Sequence, residues 1–189
     1  MNIFNKIKIN KPKSNKFDLS HERKMSLNMG ELVPILLEEI VPGDRFKVSS
    51  EVFIRLAPML APIMHRVNVF THYFFVPNRI IWDDWKTFIT GGEDGLQTPS
   101  FPTLKMGVDN SVIPLFQKGT LADYFGLPTI PATGPYTDTP TISALPFRAY
   151  TEIYNEYYRD QNLTPKIDYL KTGGALVLSE YDKIMTPRS

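Results

Sequence analysis

The sequence predicts a mainly β protein of the antiparallel sandwich kind, with long loop excursions and two or more helices. Three observations carry this. Between Asp44 and Ala57, Phe46, Val48, Val52, Ile54 and Leu56 share one parity, interrupted only by Ser50, while Arg45, Lys47, Ser49, Glu51 and Arg55 share the other, with only Phe53 out of place. Period-2 alternation of that length describes a strand with one dry and one wet face, as antiparallel sheets have. Val67 to Val76 is β-branched and aromatic on both parities, the composition of a strand covered on both faces. Sixteen prolines, each lacking a backbone donor, argue against a helical bundle.

The elements follow in order. Residues 1–16 hold Lys6, Lys8, Lys11, Lys13 and Lys16 with no acidic residue, and read as a flexible basic arm. From Phe17 the chain is strand-like, with Met25, Leu27 and Met29 alternating with polar residues until Gly30. Pro34 excludes a central strand from Glu31 to Ile40, so that stretch is an edge or an extended arm. Val41-Pro42-Gly43-Asp44 is a turn. After the strand at 44–57, Pro58 and Pro62 force a connection into the strand at 67–76, which Pro77-Asn78 ends.

Helical spacing then takes over at about 80–90, with Ile81, Trp85, Phe88 and Ile89 on one stripe and Gly91-Gly92 as the stop. Residues 91–142 contain seven prolines and seven glycines, a Pro/Gly-rich insertion expected to run over the surface with short elements at most. One of these is a turn or two of helix at Thr120 to Pro128, capped by Thr120 and ended by Gly126. A longer helix is expected over 143–162, capped by Ser143, with Tyr150, Ile153, Tyr154, Tyr157 and Tyr158 as its core stripe. Pro146 is tolerated there because the first turn has no intrahelical partner for its missing N–H. Ala175 to Leu178 suggests one more short strand.

Composition closes off several functions. With 42% hydrophobic and 22% charged residues the chain has globular usage, and a net charge of +1 confines any nucleic-acid contact to a local patch. Without cysteine there is no disulfide, thiol nucleophile or thiolate metal site. No apolar run reaches membrane-spanning length, and the lysine-bearing N-terminus lacks the apolar core of a signal peptide.

The candidate chemical residues all have plainer readings. His65 and His72 lack convergent carboxylates and make no zinc site. Asp83 and Asp84 are adjacent, so on a helix their side chains diverge by roughly 100° and suit the N-terminal dipole better than acid–base work. Glu38-Glu39 and Glu93-Asp94 fare no better, and no phosphate loop, dinucleotide fingerprint, nucleophile elbow or zincin motif is present. The tyrosine stripe at 150–158 suits a helix core face better than base stacking. No catalytic, metal or cofactor-binding residue is assigned, and no enzymatic activity or cofactor is expected. The arm lysines Lys6, Lys8, Lys11, Lys13 and Lys16 are the candidate DNA-contacting residues, because ammonium groups meet phosphates without reading sequence.

Three segments carry a resemblance. Phe17 to Ser49 (FDLSHERKMSLNMGELVPILLEEIVPGDRFKVS) resembles the opening of microvirus major capsid proteins, with a Phe-Asp-x-Ser-His element, a Gly-x-Leu-x-Pro stretch and a Pro-Gly-Asp turn. Ala61 to Gly92 (APIMHRVNVFTHYFFVPNRIIWDDWKTFITGG) is similar to the family's aromatic strand that ends in Val-Pro-x-Arg and enters a Trp-containing helix. Leu145 to Asn162 (LPFRAYTEIYNEYYRDQN) resembles the helix that follows the first long insertion. The segments stand in family order, cover roughly half of the chain, and look closest to the gokushovirus-like branch.

The resemblance implies the N-terminal part of a viral single jelly-roll coat protein, in a T=1 shell around circular single-stranded DNA. It implies as partners further copies of the chain, other virion proteins and packaged DNA bound without sequence preference, with no membrane. The location implied is the virion, and the host cytoplasm during assembly. Residues 17–189 would form the front of the capsid domain behind the arm at 1–16. A jelly roll needs eight strands, and only four or five are recognisable here. The barrel is therefore expected to be incomplete in this chain, as in a truncated frame or fragment, with strand edges and apolar faces uncovered. The competing reading is a non-viral β-sandwich module for a glycan or protein ligand, which leaves the lysine arm and the ordered motifs unexplained.

Overall fold

A computed structural model describes residues 10, 13–107, 109–131 and 140–189. Packed structure is concentrated after Pro77. Two short helices, α1 (Asn78–Ile81) and α2 (Trp85–Thr90), lead to strand β1 (Thr103–Lys105), a 3₁₀ turn (Ile113–Phe116) and α3 (Leu121–Tyr124). Strand β2 (Thr141–Ser143) then runs into α4 (Leu145–Ile153), which continues as one π-helical stretch (Tyr154–Tyr158), and α5 (Leu178–Met185) follows. β1 and β2 are antiparallel, with Leu104 opposite Ile142. On its other side β1 receives residues 174–176, where the Thr103 N–H donates to Gly174 O (3.0 Å) and the Leu176 N–H to Thr103 O (2.8 Å).

The core lies between this small sheet and the helices. Leu104, Phe116, Leu121, Phe147, Ile184 and Met185 are buried in it, and the Phe125 ring meets Phe147 edge-on at 5.0 Å. Among the described residues of 91–142, 91–101 are exposed or half-buried as expected, but parts of the stretch beyond them enter the core. Between their prolines and glycines they place Leu104, Met106, Val112, Phe116 and Leu121 in the interior. Proline and glycine density forbids long elements but leaves short ones free to present single apolar side chains. The small helix at 121–124 does form, begun at Thr120 and ended where Gly126 takes φ +84°.

Other expectations shift in register. The stripe on 80–90 is buried only in part, at Ile81 and partly at Trp85, with Phe88 exposed. Trp82 adopts an extended conformation (φ −146°, ψ 113°), which splits the helix and sends its fully buried indole into a cluster with Phe88 (4.9 Å) and Phe101 (5.3 Å). Ile89, on the expected stripe, is exposed. The stop is as expected: Gly91 sits at φ 74° and its N–H donates to Thr87 O.

The helix expected at 143–162 begins at Leu145, whose N–H the Ser143 hydroxyl accepts at 3.2 Å, and ends at Tyr158. Its stripe is buried at Tyr150 and Tyr154 and exposed at Tyr157 and Tyr158, because the wider π turn rotates the last residues off the core face. Ala175 to Leu178 supplies only a bridge to β1, and helix α5 begins at Leu178. Its Tyr181, Ile184 and Met185 are buried at helical spacing.

Upstream of Pro77 the outcome differs most from the expectation. The turn at Val41–Asp44 forms as read, with the Asp44 N–H donating to Val41 O and Gly43 at φ 97°. Residues 17–30, 44–57 and 67–76, however, form no ladder within the described residues, and the face expected to be dry is exposed at Phe46, Val48, Val52, Ile54 and Leu56. Alternation encodes a face but supplies neither the neighbouring backbone a strand must bond nor the layer that covers it.

Candidate assembly surface

The residues upstream of the core are attached to it at a few points. Arg23 bonds the backbone carbonyls of Ile35 and Tyr124, and burial lowers its pKa while nearby Asp123 favours the charged form. The Leu32 N–H donates to Arg188 O at 2.8 Å. The Tyr150 hydroxyl joins three parts of the chain, donating to Leu32 O (2.9 Å) and accepting from the Arg188 N–H (2.9 Å). Burial pushes its pKa up to about 12, so it remains a donor at ordinary pH.

Beneath this, two buried charged groups hold the C-terminal segment. Arg148 donates to Ile81 O (3.2 Å) and Thr172 O (2.8 Å), joining α4, α1 and the strand-like return at 172–176. Glu180 accepts from the Leu170 N–H (2.9 Å) and from Lys183 (2.7 Å). Burial acts to raise the Glu180 pKa, but the Lys183 and Leu170 hydrogen bonds and the charges of Lys183 and Arg148 outweigh it and leave the carboxyl below its ordinary value.

On this base stands an uncovered apolar surface. Phe53 is 93% exposed and Phe70 77%, alongside Val52, Ile54, Val69 and Phe75. The two expected strands touch where the Tyr73 hydroxyl donates to Ser50 Oγ (2.8 Å). The second is tied to the π-helical end of α4: His72 Nδ1 and the Tyr158 hydroxyl are hydrogen-bonded at 2.5 Å, and Phe74 packs on Tyr157 with ring centroids 4.8 Å apart. Sequence reasoning placed Tyr157 and Tyr158 in the core and so missed this junction. The pairing of an aromatic strand with a tyrosine-rich helix was the available signal.

The residues weighed for chemistry are dispersed. His72 faces aromatic rings, and no group of three or more His, Asp or Glu capable of holding a metal occurs among the described residues. Asp84 occupies the N-cap of α2 without a side-chain capping bond, although its carbonyl accepts the Phe88 N–H. Lys13 and Lys16 are exposed, while Lys6, Lys8 and Lys11 lie outside the described residues.

Exposed apolar side chains in this number mark a surface suited to contact with further polypeptide. The model of the capsid protein (F protein) family matches residues 5–182, and the chain belongs to that family. It is 41% identical over 150 residues to capsid protein VP1 of Chlamydia phage 1, an alignment covering 78% of this chain and 24% of that protein. Against capsid protein VP1 of Bdellovibrio phage phiMH2K the identity is 37% over 162 residues, covering 84% and 28%. Against that of Spiroplasma virus 4 it is 32% over 164 residues, covering 85% and 28%. The chain thus spans about a quarter of the length of these relatives. The family is one of structural virion proteins, not enzymes, and membership sets aside the glycan-module reading.

Proposed function

We propose that this chain is the front part of the coat protein of a small icosahedral phage, which associates with copies of itself into a T=1 shell around circular single-stranded DNA. The family match over 5–182 carries this reading. In the proposed layout, residues 1–16 are a basic arm and 17–189 the front of a single jelly-roll domain, with the insertion at 91–142 and the helix at 143–162 contributing contacts. The apolar side chains of 44–57 and 67–76 would become barrel strands once further polypeptide of the full coat protein pairs with them. Other virion proteins would be partners, and the host cytoplasm the place of assembly. The arm lysines Lys6, Lys8, Lys11, Lys13 and Lys16 would contact phosphate non-specifically.

The test is expression of the complete coat protein, followed by light scattering, electron microscopy and nuclease digestion. Closed T=1 shells that protect single-stranded DNA are the expected result. A small species that stays small at every concentration, or shells of another triangulation number, would overturn the reading.

A further inference from the structure

A second basic feature lies outside the arm. Residues 23–26 and 118–129 enclose an open cleft of about 470 Å³, lined among others by Arg23, Lys24, Ser26, Lys118, Asp123 and Thr129. Three cations there face one carboxylate. Asp123 Oδ2 accepts the Gly119 N–H at 2.8 Å, and its charge is set against that of Arg23. Arg23 is itself committed to two carbonyls. Lys118 and the hydroxyls of Ser26 and Thr129 form no hydrogen bond or ion pair with other described residues. Lys24 has only a 3.9 Å pair with Glu22, both side chains about nine-tenths exposed, and such a pair holds a charge weakly. The cleft therefore presents two ammonium groups and two hydroxyls, with its one carboxylate offset by the Arg23 charge. This is a donor set for phosphate oxygens.

We infer that this cleft binds the phosphodiester backbone of single-stranded nucleic acid, continuing the path begun by the arm. The inference rests on the coat-protein reading. Continuity with the arm favours a polynucleotide over an isolated phosphate: exposed Lys13 and Lys16 precede Arg23 closely, and the seven residues from Lys16 to Arg23 span at most about 25 Å. One strand can thus meet both.

The test is the salt dependence of binding of a fluorescent oligothymidylate to the protein, compared with Lys24→Ala/Lys118→Ala. Both side chains are exposed, so the fold should survive, and thermal unfolding checks that. Each phosphate contact on a single strand contributes about −0.7 to the slope of log K against log salt, so the double variant should be shallower by about 1.4. An unchanged slope overturns the inference. So does full competition by millimolar inorganic phosphate with no dependence on oligonucleotide length, which would mark a single-phosphate site. Lys13→Ala/Lys16→Ala reads the arm separately. If shells form while the cleft variant leaves the slope unchanged, the cleft alone fails. If the slope falls as expected but no shell forms, the coat-protein reading fails and the cleft stands.

Discussion

Replacing Tyr150 by phenylalanine removes one oxygen atom and should loosen the attachment of the N-terminal segment to the core. The hydroxyl satisfies the Leu32 carbonyl and the Arg188 amide, each at 2.9 Å, while the ring is only 5% exposed. A buried polar group left unpaired costs about 1–3 kcal/mol. Leu32 and Arg188 are only partly buried, so water recovers some of that loss, and the direct Leu32–Arg188 bond remains. The net expectation is about 1–2 kcal/mol, a factor of roughly 5–30 in the local opening equilibrium. Amide hydrogen exchange should show this at the Arg188 N–H and its neighbours, with α4 unaffected. Unchanged exchange at Arg188 would refute the three-way junction.

The same hydroxyl sets an alkaline limit. Its folded pKa is raised to about 12 from 10.0. A phenol held neutral by burial contributes stability that is complete below its unfolded pKa and is lost as pH rises through the folded value. The wild type should therefore lose stability between about pH 10 and 12, and the phenylalanine variant should lack that contribution.

Further expectations follow from the other buried contacts. Arg148→Ala removes two charged hydrogen bonds and leaves the Ile81 and Thr172 carbonyls unpaired. It should cost about 3 kcal/mol or more, and a thermal unfolding midpoint within a degree of wild type would disprove the joint. Glu180→Gln should flatten the acid limb of stability: the folded carboxyl lies below its ordinary 4.5, so its contribution is present above that value and lost as pH falls through the folded pKa. Acid titrations followed by circular dichroism, identical for both proteins, would contradict this. A Cβ on Gly173 would collide with the Ser100 carbonyl and crowd the Trp82 indole, so Gly173→Ala should shift the Trp fluorescence and lower the melting point. Phe53→Asp alters a side chain 93% exposed in this chain. It should make the isolated chain more soluble without lowering its melting temperature, and a lower melting point would mean that Phe53 already packs here.

Local chemistry made some of this legible from the residues. The Val41–Asp44 turn, the stop at Gly91, the short helix between Thr120 and Gly126, and the burial of Tyr150 and Tyr154 all follow from positive φ or from 3.6-residue spacing. Three ordered motifs also carry the likeness to the family in the sequence alone. Legibility failed where an outcome depends on residues far away in the chain. Trp82 rather than Ile89 is buried because Phe101 offers a ring to pack on. Leu104, Phe116 and Leu121 of the Pro/Gly-rich insertion become interior because α4 and α5 contribute Phe147 and Ile184 to the same core. Helix α5 could have been read from the spacing of Tyr181, Ile184 and Met185, but the preceding apolar run suggested a strand. The cleft at Lys24 and Lys118 joins residues 94 positions apart, which no local pattern records. Periodicity determines which side of an element is apolar. Only the tertiary structure decides what meets that side, because burial is a property of two surfaces and each local segment encodes one.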